Sequence, residues 1–158
     1  MIESNESDRP QSFRYLSPLR MDNIIYKVHM YMPVSYTHQR HQGGDAIIAY
    51  PGMIEGEQWD KAKIRETLQP VRDFQLRHNA KIYVGEFSAI IWAPGAEKYL
   101  ADCIDLFEEY GWDWTYHAFR EWDGWSLEHE GEGPGKIRKS GDNPRKRLLL
   151  EAFRKNRK

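Results

Sequence analysis

Three short runs rich in β-branched and aromatic residues alternate with stretches of helical apolar spacing. The runs are Asn23–Tyr31, Lys81–Phe87 and Trp112–Phe119. Between them, Trp59–Asn79 places Ile64, Leu68, Val71 and Phe74 on one helical face, and Glu97–Tyr110 does the same with Tyr99, Leu100, Cys103, Ile104 and Phe107. Strands alternating with helices of this length predict βαβ units and a parallel sheet, an α/β fold. Gly111 stands where a helix C-cap is expected, and Pro70 should kink or restart the first helix. Met32–Gln58 and Arg120–Gly135 read as loops, the former long enough to carry function.

In parallel α/β folds the chemistry sits where the strands end. The ends here are His29-Met30-Tyr31, Gly85-Glu86-Phe87 and Trp114-Thr115-Tyr116-His117. All three carry polar or aromatic groups where a purely structural strand would continue Val or Ile. Glu86 follows the apolar run Ile82-Tyr83-Val84-Gly85, and a carboxylate there is costly unless it is hydrogen-bonded or used. It serves chemistry, or caps the next helix or pairs with an arginine. His29 and Tyr31 alternate on one strand and so share a face; they reach a ligand, or form a satisfied buried pair. Trp92, Trp122 and Trp125 lie in or beside loops and offer flat faces to sugar rings, or simply pack. His38 and His41 have the spacing of a metal pair only on a helix, and no metal or other cofactor is expected.

At 158 residues the chain is one domain, shorter than the roughly 250 residues of a full (β/α)8 barrel. A single cysteine, Cys103, forbids an internal disulfide and is expected as a buried, inert thiol. Residues 1–22 read as a polar N-terminal segment without a strand. Residues 136–158 carry ten Lys/Arg against two Asp/Glu. Asn143-Pro144 followed by Leu148, Leu149, Ala152 and Phe153 makes this a basic C-terminal surface helix rather than a nucleic-acid site. No stretch suits a membrane span, and the first ten residues are not a signal peptide. The default expectation is a cytoplasmic address, or a secreted one if a leader lies upstream.

Taken in order, Val28-His29-Met30-Tyr31-Met32-Pro33, Tyr36-Thr37-His38-Gln39, Ile82-Tyr83-Val84-Gly85-Glu86-Phe87-Ser88 and Trp112-Asp113-Trp114-Thr115-Tyr116-His117 through Trp125 resemble strands six to eight of glycoside hydrolase family 5, the cellulase family, over roughly Asn23 to His129. The resemblance implies a partial TIM-barrel, its C-terminal half. It implies that Glu86 is the catalytic nucleophile, that His29 and Tyr31 line the subsite at the cleaved bond, and that Tyr31 hydrogen-bonds to the nucleophile. His117 stands where the family usually has a platform tryptophan, leaving Trp114 or Trp122 to substitute. The family's acid/base glutamate follows an asparagine at the end of strand four; Asn5-Glu6, the only such pair, has no preceding strand.

The expected function is therefore retaining hydrolysis of a β-glucan or related glycoside, with the nucleophile half present and the acid/base residue missing. Two rivals are a non-catalytic carbohydrate-binding half barrel and an unrelated small α/β protein. Carbohydrate is the expected partner, with no nucleic acid and no membrane. The inner face of an open half barrel is expected to be apolar, at Val28, Ile82 and Val84, and to be covered either by the N-terminal segment and the C-terminal helix at Leu148–Phe153 or, as favoured, by a second copy in a homodimer; a complementary N-terminal half is the other expected partner. Should the chain turn over substrate alone, Glu55, Glu57 or Glu121 would supply the acid.

Overall fold

The computed structural model describes residues 1–41 and 43–156. In chain order the elements are β1 (Ile2–Glu3), the short α1 (Asn5–Asp8), a 3-10 turn (Pro10–Tyr15), β2 (Ile25–Met30), α2 (Val34–Thr37), β3 (Gly52–Ile54), β4 (Glu57–Trp59), α3 (Lys61–His78), β5 (Lys81–Phe87), α4 (Ala96–Tyr110), β6 (Asp113–Trp114), β7 (His129–Gly131), β8 (Ile137–Lys139) and α5 (Pro144–Arg154). The main sheet has the order β1-β2-β5-β6, with every neighbouring pair parallel. β3–β4 and β7–β8 are two separate antiparallel hairpins. No helix among the described residues is long and apolar enough to cross a membrane.

Each long helix starts and stops where its chemistry dictates. Asp60 caps α3 by accepting from the N–H groups of Ala62 and Lys63. Gly111 closes α4 in the left-handed conformation, φ 68°, which a glycine adopts without a Cβ penalty. Asn143 caps α5, with Pro144 at its first turn. Pro70 neither ends nor restarts α3, which runs through it; its ring is buried in the groove it shares with Phe13 and Phe74, and that packing offsets the missing N–H donor.

α3 and α4 both pack on one face of the sheet. Tyr26, Val28 and Met30 of β2 and Ile82, Val84 and Phe87 of β5 are buried there with Ile64, Leu68, Val71, Phe74, Leu100, Ile104 and Phe107. Aromatic edges lock the layers: Tyr26 meets Phe74 at 4.9 Å and Phe87 meets Phe107 at 5.2 Å between ring centroids. Val28, Ile82 and Val84 are thus covered by helices, not lining the open face as expected. Side chains alternate along a strand, so the residues between them, Ile25, Lys27, His29 and Tyr83, take the open side. That side is largely polar.

Several segments depart from their sequence reading. Residues 1–22 supply an edge strand and the 3-10 turn, whose Phe13 is buried against Phe74 at 5.5 Å. The sheet therefore has one strand more than the three expected, and Asn5-Glu6 does have a strand before it, contrary to its sequence reading. The long loop after β2 contains α2 and the β3–β4 hairpin. The third expected strand shrinks to Asp113–Trp114, although Thr115 N–H still reaches Val84 O and His117 N–H reaches Phe87 O. The basic C-terminal segment is helical only from Pro144, because Ile137–Lys139 pairs with β7; residues 157 and 158 lie outside the described residues.

Phe87 joins both layers, fully buried against Phe107, Trp114 and Tyr116. Phe87→Ala is expected to cost about 3–5 kcal/mol of stability in urea unfolding. A loss below about 1 kcal/mol would contradict this packing.

Candidate active site

Glu86 faces the open side of the sheet because of one extra residue. β2 and β5 pair in simple register up to Val28 opposite Val84; the next pair is His29 opposite Glu86, so Gly85 is inserted as a bulge. Without it Glu86 would share the orientation of Ile82 and Val84 and enter the helix-facing core. With it, Glu86 points outward and Phe87 returns to the core. Glycine leaves room here: a Cβ would lie 2.6 Å from Lys27 Cδ and 3.3 Å from His29 Nε2, so a larger residue would displace both side chains.

Tyr31 follows the end of β2, two residues beyond His29. Its hydroxyl donates to Glu86 Oε2 at 3.0 Å. His29 Nε2 stands 3.7 Å from Glu86 Oε1. His117 Nδ1 approaches Oε2 at 3.9 Å, its other nitrogen facing Glu121 at 3.1 Å. Thr37, buried in α2, fixes this wall by donating to the Tyr31 carbonyl at 2.6 Å. It also lies 2.9 Å from His38 Nδ1. A cavity of about 250 Å³ opens in front of Glu86, lined by His29, Tyr31, Met32, Val34 and His38 and by Ser7 and Arg9 of the N-terminal segment.

The electrostatics follow from burial. Desolvation, then the nearby Glu86 charge, pushes the Tyr31 hydroxyl far above its ordinary range, so it remains a donor. Burial lowers His29 against the opposing pull of the Glu86 and Asp8 carboxylates. His38 is lowered by burial first, then by His41 and His117. Cys103 is fully buried, and its thiol is pushed up by desolvation.

The tryptophans separate into distinct roles. Trp125 is nearly buried behind the site, with its ring 6.1 Å from Tyr31, 4.9 Å from His38 and 6.3 Å from His117. Trp122 is partly exposed and packs edge-on against Trp125, Trp92 and His41. Trp92 does not reach the cavity: it is buried and its indole N–H donates to the Gln39 carbonyl. Trp114 packs against Phe87 and Phe153. Glu57 is paired with Lys63 on the β3–β4 hairpin, and neither Glu55 nor Glu57 lines the cavity. Among the described residues, no cluster of three or more His, Cys, Asp and Glu side chains is arranged to hold a metal ion. Ser7, Asp8 and Arg9 escaped the sequence reading; polar residues after a two-residue strand give no periodic signal.

A search against protein-family profiles matches Cellulase (glycosyl hydrolase family 5) over residues 2–123. The chain belongs to glycosyl hydrolase family 5. This removes the reading as an unrelated α/β protein and places the N-terminal segment, from residue 2, inside the family domain. Endoglucanase C of Acetivibrio thermocellus is 29% identical, with 73% of this chain and 42% of that protein covered. Endoglucanase C307 of Clostridium sp. (strain F1) matches to the same extent. A hyperthermophilic endo-β-1,4-glucanase solved with substrate superposes with a TM-score of 0.72 at 24% identity, covering 95% of this chain and 46% of that one. Cel5A of Thermotoga maritima with cellobiose gives 0.63 at 20% identity, covering 94% and 45%. These structures share the fold, and the chain is a partial α/β barrel of that family. It spans less than half the length of the relatives it matches.

Half-buried neutral histidines make stability depend on pH with a definite sign. The unfolded chain protonates His29 and His38 below the ordinary imidazole value of 6.5, the folded chain only at lower pH. Their contribution is fully present above that value and is lost as pH falls toward the depressed folded values. The Tm is expected to drop between about pH 7 and pH 5, and His29→Gln to flatten that slope. An identical slope in the variant would contradict a half-buried, neutral His29.

Proposed function

We propose that this chain carries the nucleophile half of a retaining glycoside-hydrolase site acting on a β-linked glucan or related glycoside. The observation that carries the reading is the Glu86 carboxylate, fixed through one oxygen by Tyr31 and facing the cavity with the other. In this reading Glu86 Oε1 attacks the anomeric carbon, and the bond to the leaving group breaks with its electron pair on the departing oxygen. Water then hydrolyses the glycosyl-enzyme ester. Tyr31, held protonated by burial, remains a hydrogen-bond donor to the attacking carboxylate. The glucan assignment is supported by the endoglucanase names of the relatives.

Retaining hydrolysis also needs a second carboxyl group about 5–5.5 Å away to protonate the leaving group. Glu86 is the only carboxylate lining the cavity among the described residues. Asp8 and Glu121 each stand behind a histidine. We therefore assign the acid/base role to a segment outside this chain, a complementary N-terminal half or a second copy. The open edges at β1 and β6 offer the unpaired backbone where such a segment would join the sheet. The same shortage of carboxylates is what favours the alternative, a half barrel that binds carbohydrate without cleaving it.

An activated substrate separates these readings, because a good leaving group needs no proton. A dinitrophenyl 2-deoxy-2-fluoro-β-cellobioside is expected to leave a stable adduct on Glu86, seen by peptide mass spectrometry and absent in Glu86→Gln. Unactivated β-glucan should be turned over at background, since a general acid contributes about 10²–10⁴-fold. An adduct on another carboxylate, or glucan turnover that survives Glu86→Gln, would overturn the assignment; a ligand that binds without any adduct would favour the non-catalytic reading.

A further inference from the structure

Asp8 is a buried carboxylate outside the cavity, only 3% exposed, with Oδ1 lacking any hydrogen-bond partner among the described residues. Its other oxygen, Oδ2, lies 3.3 Å from Lys27 Nζ and 3.6 Å from His29 Nε2. Ser7 and Asp8 both hold left-handed backbone, φ 58° and 60°. Non-glycine residues adopt that conformation only where their surroundings compensate for it. The turn brings Asp8 onto the polar face of β2, where Lys27 and His29 alternate in register.

One ring nitrogen of His29 therefore faces two carboxylates, Asp8 Oδ2 at 3.6 Å and Glu86 Oε1 at 3.7 Å. Both distances exceed a formed hydrogen bond, so a small shift closes either contact. The other charges around His29 are Lys27 on its own strand and Glu3, which is bonded to Lys27. A neutral imidazole has one N–H and one lone pair. A lone pair on Nε2 would point at two negative oxygens, whereas an N–H there meets an acceptor on either side. We propose that Asp8 is a positioning residue that holds His29 in the Nε2–H tautomer facing Glu86. This rests on the reading of Glu86 as the nucleophile.

The arrangement has a consequence for the covalent cycle. When Glu86 Oε1 becomes an ester oxygen it loses its charge, and the His29 proton turns to Asp8. When hydrolysis restores the carboxylate, the proton turns back. No proton leaves the site, and His29 keeps its orientation in both states. Asp8, anchored by Lys27, is the fixed end of the bridge. An asparagine in its place would turn its carbonyl oxygen to the Lys27 ammonium, the position that also faces Nε2, and so would still accept from the imidazole, without the charge.

Long-range ¹H–¹⁵N correlation of the full chain at about pH 8, above the ordinary imidazole range, reads the tautomer directly, with His29→Gln assigning the signal. The wild type and D8N are expected as Nε2–H, and D8A to gain the Nδ1–H form. The rate of Glu86 labelling by the fluoro-glycoside is expected to fall on the order of 10- to 100-fold in D8A, the range for a lost orienting partner behind a histidine, and less in D8N. A purely structural Asp8 would lower the Tm in D8N and D8A alike and leave the tautomer unchanged. An Nδ1–H tautomer in the wild type, or a D8A spectrum identical to the wild type, overturns the proposal, and the wild-type spectrum decides even if D8A does not fold. Failure of the nucleophile reading shows separately, as a wild-type chain that carries no adduct on Glu86.

Discussion

Side chains along a strand alternate between two faces, so a single inserted residue decides which environment every later side chain meets. In β5 that residue is Gly85. Ile82 and Val84 are buried beneath α3 and α4, and an even count would send Glu86 after them. A carboxylate in that layer would be desolvated among Leu100, Ile104 and Phe107 with no polar partner. The bulge turns Glu86 to the open face and returns Phe87 to its aromatic contacts. One backbone irregularity thus serves the core and the site together. Its side-chain-free position is also what lets Lys27 and His29 lie flat against the strand.

On the open face, charge is arranged as an alternating series along β2. Glu3 bonds Lys27, Lys27 contacts Asp8, and Asp8 and Glu86 flank His29. Burying any one of these groups alone would cost several kcal/mol. Each carboxylate instead has a donor or a cation beside it, and desolvation keeps His29 and Tyr31 in their neutral forms. Behind this row, Arg145 of α5 hydrogen-bonds Tyr116 and donates to the Trp125 carbonyl at 3.1 Å. That contact ties the C-terminal helix to the ring packed against Tyr31. Residues past the end of the family match thereby complete the wall of the site.

What the sequence made legible follows the strength of its periodicity. β2, α3, β5 and α4 carry clear apolar patterns, and His29 and Tyr31 share a face as their alternation implies, whereas Glu86 joins them only through the bulge at Gly85, which alternation does not signal. The N-terminal segment was opaque because β1 is two residues long and exists only by pairing with β2. The hairpins at Gly52–Trp59 and His129–Lys139 are too short and polar to signal strands. Pro70 misled, because a proline whose ring is buried in the groove beside the 3-10 turn is tolerated within a helix. The basic C-terminal pattern hid Arg145, which faces inward. Assigning Val28 and Val84 to the open face failed because alternation fixes only which residues share a side; the helices decide which side is covered.

Seen this way, the partial barrel is a scaffold that aims one carboxylate, and the aim depends on the Tyr31–Glu86 contact made possible by the bulge. A double-mutant cycle measures that contact most directly. Tyr31→Phe and Glu86→Ala, alone and combined, are compared by urea unfolding. The account predicts a coupling of about 1 kcal/mol, the order of a charge-assisted hydrogen bond at a partly exposed carboxylate. Additivity within about 0.3 kcal/mol would mean that Glu86 does not face Tyr31, and would contradict the bulged register on which the site is built.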